Sequence, residues 1–204
     1  LNDFNTLKIT KDDTERKIMY GQEQNRQKLE SNTENLNEYL KKLNIKIKIK
    51  LDDKITISRI SQLILKTNQF NLTTKRYPEE QIKEFVENET MIVGCSEVED
   101  KFGENGITNV FIIKTKSNEW VIDTFLLSCR VMGRGIEEGI LGKILEIAKS
   151  KGIEKITATF IPTEKNKPSE NFLENYGFEK EKEKWVFLLK NKIKIPDHLQ
   201  VELK

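Results

Sequence analysis

At 204 residues the chain can bury one substantial core, but two full domains would be cramped. Charged residues are 33% of it against 36% hydrophobic. Its 35 Lys and Arg nearly balance 33 Asp and Glu, which leaves no net field to gather nucleic acid or an anionic membrane. No apolar run approaches the roughly 18 residues of a membrane span, and the start lacks the basic-then-apolar order of a signal peptide, so a cytoplasmic protein is expected.

Thr10 followed by Asp13 has the spacing of a capping box, yet Gly21 to Lys28 offers no apolar residue on any face, so this helix must lean on something other than grease. Leu36, Tyr39, Leu40 and Leu43 then fall at helical spacing and form a short docking stripe. Residues 1–44 read as a helical connector. At Ile45 the period changes to two, with Ile45, Ile47, Ile49 and Leu51 alternating with Lys, which opens a half-buried strand and the main domain, 45–190.

Ile57, Ile60, Leu63 and Ile64 make a helical stripe ending near Phe70, and Pro78 starts a second helix through about Val86. Met91 to Val98, Ile107 to Lys114 and Trp120 to Leu127 read as three antiparallel strands with turns at Asn105-Gly106 and Ser117-Asn118. Ile136, Ile140, Leu141, Ile144 and Ile147 share one face of a helix that Gly152 stops. A strand from Lys155 to Ile161, a short helix broken by Gly177 and a final strand from Trp185 to Leu189 complete an α/β order, and residues 191–204 read as a polar tail. Cys95, Cys129 and the single His198 are too few for a disulfide framework or a zinc-like set, and no metal is expected.

This element order is similar to that of the GNAT acyltransferases, a mixed central sheet with helices on both faces. Two local signals carry the likeness: Leu127-Ser-Cys-Arg-Val-Met-Gly-Arg-Gly-Ile136, which resembles the family's pyrophosphate loop, and Asn166 ahead of Gly177-Phe178. Longer runs resemble the C-terminal half of FkbH-like proteins: Ser58-Arg-Ile-Ser-Gln62, Lys66-Thr-Asn-Gln-Phe-Asn-Leu-Thr-Thr74, Phe102-Gly103 and Asp123 to Gly135. The opening Leu7 to Arg16 with Tyr20 resembles the connector that follows a HAD-type phosphatase domain in that family, and no Asp-x-Asp-x-Thr motif is present here. The resemblance implies an acyl carrier protein and a HAD-type domain as partners. It also implies a glyceryl-type acyl group bound for methoxymalonate-type biosynthesis, and a cofactor that is either the carrier's phosphopantetheine thioester or CoA or acetyl-CoA.

The resemblance further implies that a pantetheine thioester lies in the splay of the sheet against backbone donors of the fourth strand. The cofactor loop would then comprise Leu127, Ser128, Arg130, Val131, Met132, Gly133, Arg134, Gly135 and Ile136, with Asn166 on the far side. Two registers fit the loop. One sets Arg130, Gly133 and Gly135 on the family pattern; the other, favoured because it keeps Ile140 and Leu141 on the core face, puts Met132 at the phosphate and Glu137 where a small residue is usual. Leu173 stands where the family often has an acidic Tyr, with Tyr176 out of register, which argues against ordinary amine acetylation.

Two residues are candidates for chemistry. Asp123 interrupts an apolar strand and is either a base or one half of an ion pair. Cys129 sits beside Arg130 near a helix N-terminus and is either a nucleophile or inert packing. Arg59, Asn68, Gln69, Asn71, Thr73 and Arg76 are candidates to hold the acyl group, with helix capping as the alternative for Asn and Thr. Only six basic residues are Arg, and Arg59, Arg76, Arg130 and Arg134 all fall in these segments, where a planar bidentate donor suits phosphate or carboxylate. A module that only docks the carrier or the HAD domain, and a CoA-dependent N-acetyltransferase, are the alternative functions.

Overall fold

The computed structural model describes residues 11–204, with side chains from Lys17 onward. The cap expected at Thr10 and residues 7–10 of the Leu7 to Arg16 segment lie outside the described residues. Helix α1 (Lys11–Ser31) precedes α2 (Leu36–Leu43), whose first turn is capped by the Asn35 side chain accepting from Glu38 N at 3.0 Å. Tyr39, Leu40 and Leu43 are buried as their spacing requires, while Leu36 stays exposed. Helix α1 is held by charge: Arg26, itself buried, gives Nε and Nη2 to the buried Asp100 at 2.7 and 3.1 Å.

The domain then runs β1 (Ile45–Leu51), α3 (Ile57–Lys66), β2 (Phe70–Asn71), α4 (Glu79–Val86), β3 (Met91–Asp100), β4 (Gly103–Thr115) and β5 (Glu119–Leu127). It continues with α5 (Ile136–Ser150), β6 (Lys155–Ala158), α6 (Phe172–Tyr176), β7 (Glu179–Glu181), β8 (Lys184–Leu188) and β9 (Leu199–Leu203). One sheet orders these strands β7-β8-β6-β5-β4-β3-β1-β9, antiparallel except at β5–β6 and β1–β9, with β2 added to β5. Helices α3 and α4 cover one face over Val93, Val110, Ile112 and Leu126; α2, α5 and α6 cover the other. On β1 the isoleucines point into the larger core, and Lys48 and Lys50 pair across the strand with Glu99 and Glu97 at 3.3 and 2.7 Å. Each such pair adds about 0.2–1 kcal/mol.

Four expectations are corrected. The β3–β4 turn lies at Lys101 and Phe102, where Asp100 accepts from Phe102 N at 2.9 Å, and Gly106 falls inside β4 opposite two irregular steps of β3. Helix α3 ends at Lys66, short of Phe70, because Thr67 turns extended and Phe70 joins the sheet. Strand β6 stops at Ala158, and Thr159 to Ile161 leave the ladder. Residues 191–204 are no tail: β9 pairs parallel with β1, Ile195 and Leu199 lie against Gly142 and Gly139 of α5, and Lys194 O accepts from Tyr176 Oη at 2.7 Å.

Candidate functional site

The site is made by a fault in the sheet. Ile112 pairs with Thr124 but Ile113 with Ile122, so Asp123 is an extra residue on β5, and a bulge bends the strand there. Strand β6 accompanies β5 only as far as Ile122, and beyond it the two parallel strands part. A separation of this kind leaves one edge of β5 with unpaired backbone groups that must find partners.

Strand β2 supplies them. Phe70 and Asn71 pair antiparallel with Leu127 and Leu126, and Leu72 N donates to Phe125 O at 3.1 Å. On the other side Ile161 N donates to Leu72 O at 2.8 Å, and Asn166 Nδ2 donates to Asn71 O and Ile161 O, both at 2.9 Å. The Asn166 carboxamide oxygen accepts from Thr163 N and Thr163 Oγ1, so this buried side chain is fully used within the chain. The Asn71 side chain accepts from Thr73 N and Thr74 N and donates to Thr67 O, and Thr73 Oγ1 donates to Asp123 O. Asn71, Thr73 and Asn166 are therefore the fastenings of the splay. Arg76 joins them, its guanidinium on the carbonyls of Ile64 and Thr67 at the end of α3 and on the Asn68 amide oxygen.

Asp123 points to the face of α4. Its carboxylate, nearly inaccessible, accepts from Lys75 Nζ, Lys114 Nζ and Tyr77 Oη, each at 2.7 Å. Burial alone would raise it, but hydrogen bonds from Lys114, Lys75 and Tyr77 hold its pKa down at about 2. An anion held this firmly is a weak proton acceptor, so the ion-pair alternative for Asp123 is the one with support. Burial and then this same carboxylate push the Tyr77 phenol well up.

An open space lies at the end of β5, a pocket of about 810 Å³ between α3, the loop after β5 and the loop after β6. Arg59, Lys66, Asn68, Gln69, Ser128, Cys129, Arg130 and Lys165 line it, with Glu164 as its acidic lining residue. The guanidiniums here have neutral partners among the described residues: Gln62 for Arg59, and Ser128 and the Met19 sulfur for Arg130. Burial, and then the neighbouring Arg59, lower the pKa of Arg130. Cys129 is exposed in this pocket and Cys95 is buried among the apolar residues under α3 and α4.

The expected cofactor loop divides. Leu127, Val131 and Ile136 are core, and Met132 packs against it. Ile140 and Leu141 do lie on the core face, yet it is Arg130 and not Met132 that reaches the pocket. Arg134 turns the other way, to Asp100 at 3.7 Å and Glu23 of α1 at 3.5 Å. Gly133 and Gly135 take φ of +76° and +70°, turning the chain into α5. In the first turn of α5, Glu137 is raised by burial against the pull of its own N–H, and its Oε2 has no hydrogen-bond partner among the described residues. Leu173 is buried in the core, leaving no acid at that position, and Tyr176, pushed up to about 12 chiefly by burial, is committed to Lys194 O. Of the sequence candidates, Arg59, Asn68, Gln69, Ser128, Cys129 and Arg130 come together; Lys66 and Lys165 join them and were hidden in a chain full of lysine.

Among the described residues no three His, Cys, Asp or Glu side chains are grouped to hold a metal ion, and no helix is long and apolar enough to cross a membrane. No protein-family profile matches the sequence, and no curated protein matches it. Solved structures do. Aminoglycoside acetyltransferase AAC(6')-Ib in complex with coenzyme A superposes with a TM-score of 0.52 at 13% identity, over 70% of this chain and 94% of that one. A GNAT-family acetyltransferase from Streptococcus pneumoniae gives 0.53 at 13% identity, over 70% and 98%. The yncA protein of Salmonella typhimurium, solved with its cofactor acetyl-CoA, gives 0.51 at 15%, over 72% and 95%. The chain has the GNAT fold.

Proposed function

We propose that this chain is an acyltransferase that handles a small oxygenated acyl group of glyceryl type, presented as a phosphopantetheine thioester on an acyl carrier protein. The observation that carries the reading is the pocket at the end of β5, where four cations surround an exposed cysteine. Guanidinium and ammonium groups suit the phosphodiester of a carrier's arm, and the amides of Asn68 and Gln69 suit acyl hydroxyls. In the transfer step the Cys129 sulfur, as thiolate, attacks the thioester carbonyl. A carbon–sulfur bond forms to Cys129, the bond to pantetheine sulfur breaks, and the departing thiolate takes up the proton that Cys129 gave up. An acceptor hydroxyl or thiol then receives the acyl group by the same chemistry in reverse.

The FkbH-type segments support a place beside a HAD-type phosphatase domain in methoxymalonate-type biosynthesis, in the cytoplasm. The CoA and acetyl-CoA of the similar solved enzymes make CoA the competing carrier to test. Intact-mass spectrometry of the protein with a glyceryl-loaded carrier protein is expected to show one glyceryl adduct, lost in Cys129→Ser and not replaced by an acetyl adduct from acetyl-CoA. Absence of glyceryl transfer to the protein would overturn the reading. A docking module without chemistry is favoured by the locked state of Asp123 and the aliphatic Leu173, and retention of the carrier in a pull-down without any transfer would support it.

A further inference from the structure

We infer that the segment Phe70–Thr74 is a built-in occupant of the sheet's splay, standing where a pantetheine arm would otherwise pair with β5, so that this chain admits no CoA between its parted strands. Any extended, amide-bearing chain can complete an open strand edge through its N–H and C=O groups, and a pantetheine arm with its two amides is such a chain. Beyond Ile122, β5 has no partner from β6, and the groups that an arm would need are already engaged: Phe125 O by Leu72 N, and the stretch at Leu126 and Leu127 by Asn71 and Phe70.

The opposite bank is closed by the same residues. Ile161 N donates to Leu72 O, and Asn166, expected to meet a cofactor, spends both described amide donations on Asn71 O and Ile161 O. The segment is also built into the core on its apolar side. Phe70 meets Phe172 edge-on at 5.1 Å, Phe172 stacks on Phe125 at 5.5 Å, and Leu72 is buried in the same core. A displaceable lid would be exposed and loosely held, whereas Asn71 and Leu72 are at most 1% accessible. The arm of any ligand must then reach Cys129 across the outer pocket, from the side of α3, rather than through the sheet.

The inference concerns the fold's cofactor channel and stands whether or not the chain transfers an acyl group. Amide hydrogen exchange of the intact protein, alone and with saturating CoA or phosphopantetheine, tests it. Leu72 and Ile161 report the two banks, and their exchange is expected to change less than about twofold with either compound, whether or not an outer site binds it. Acceleration of these two amides by about tenfold or more on addition of CoA would show the segment leaving the splay and would overturn the inference. Loss of any CoA binding in Arg59→Ala and Arg130→Ala proteins, with Leu72 still protected, is the further result expected.

Discussion

Asp123 and Glu137 are the two carboxylates whose surroundings matter most, and they respond to pH in opposite senses. Asp123 falls from 3.8 to about 2 in the fold, which amounts to about 2 kcal/mol of stability. Because its folded value is depressed, that contribution is full at neutral pH and is lost as pH falls from about 4 to about 2. Asp123→Asn should therefore unfold more readily by about 2 kcal/mol in urea at pH 7, with the gap to the parent closing toward pH 2. Glu137 is raised instead, so the fold favours its protonated form and loses stability as pH climbs above the ordinary 4.5. Glu137→Gln should gain about 1 kcal/mol at pH 7, measured by the same denaturation, and gain nothing below about pH 4. The residue types alone could not separate these cases. The difference lies in Lys75, Tyr77 and Lys114 converging on Asp123, while Glu137 Oε2 meets no donor among the described residues.

The elements legible in the sequence are those whose periodicity is long and unbroken. The Ile-Lys alternation of β1, the stripe of α5 and the three strands β3 to β5 fall close to where their patterns put them. What escaped was set by contacts between distant segments. Two residues of β2 make no pattern, and their strand identity comes only from the edge of β5. The β3–β4 turn is placed by Asp100 and by irregular pairing, against the stronger Asn-Gly signal. Of the four arginines singled out, Arg59 and Arg130 line the pocket, while Arg76 and Arg134 go to a helix end and to Asp100, because a guanidinium serves a carbonyl or a buried carboxylate as readily as a phosphate. Between Gly21 and Lys28 helix α1 had no apolar residue to betray how it docks; its anchors are the pair Arg26–Asp100 and Leu29 against the core. Arg26→Ala leaves the buried Asp100 carboxylate with the Phe102 N–H and, as its remaining cation, Arg134 at the longer 3.7 Å, and should cost about 3 kcal/mol. Limited proteolysis is expected to cut α1 early in that variant while the domain from β1 onward survives.

At the scale of the molecule, the sheet protects its two edges differently. Strand β7 is three charged residues long, a poor template for another chain, while β1, long and regular, is covered by β9. Removing residues 199–204 should bare that edge, lower the unfolding temperature by several degrees, and produce concentration-dependent association visible by light scattering. The pairing also joins residues roughly 150 positions apart. During synthesis on the ribosome β1 emerges ahead of the other strands of this sheet, yet its neighbour on that side is not made until residue 203 has left the tunnel. The nascent chain therefore carries an open strand while the rest of this sheet is made, and its solubility in that interval depends on the lysines that alternate along β1.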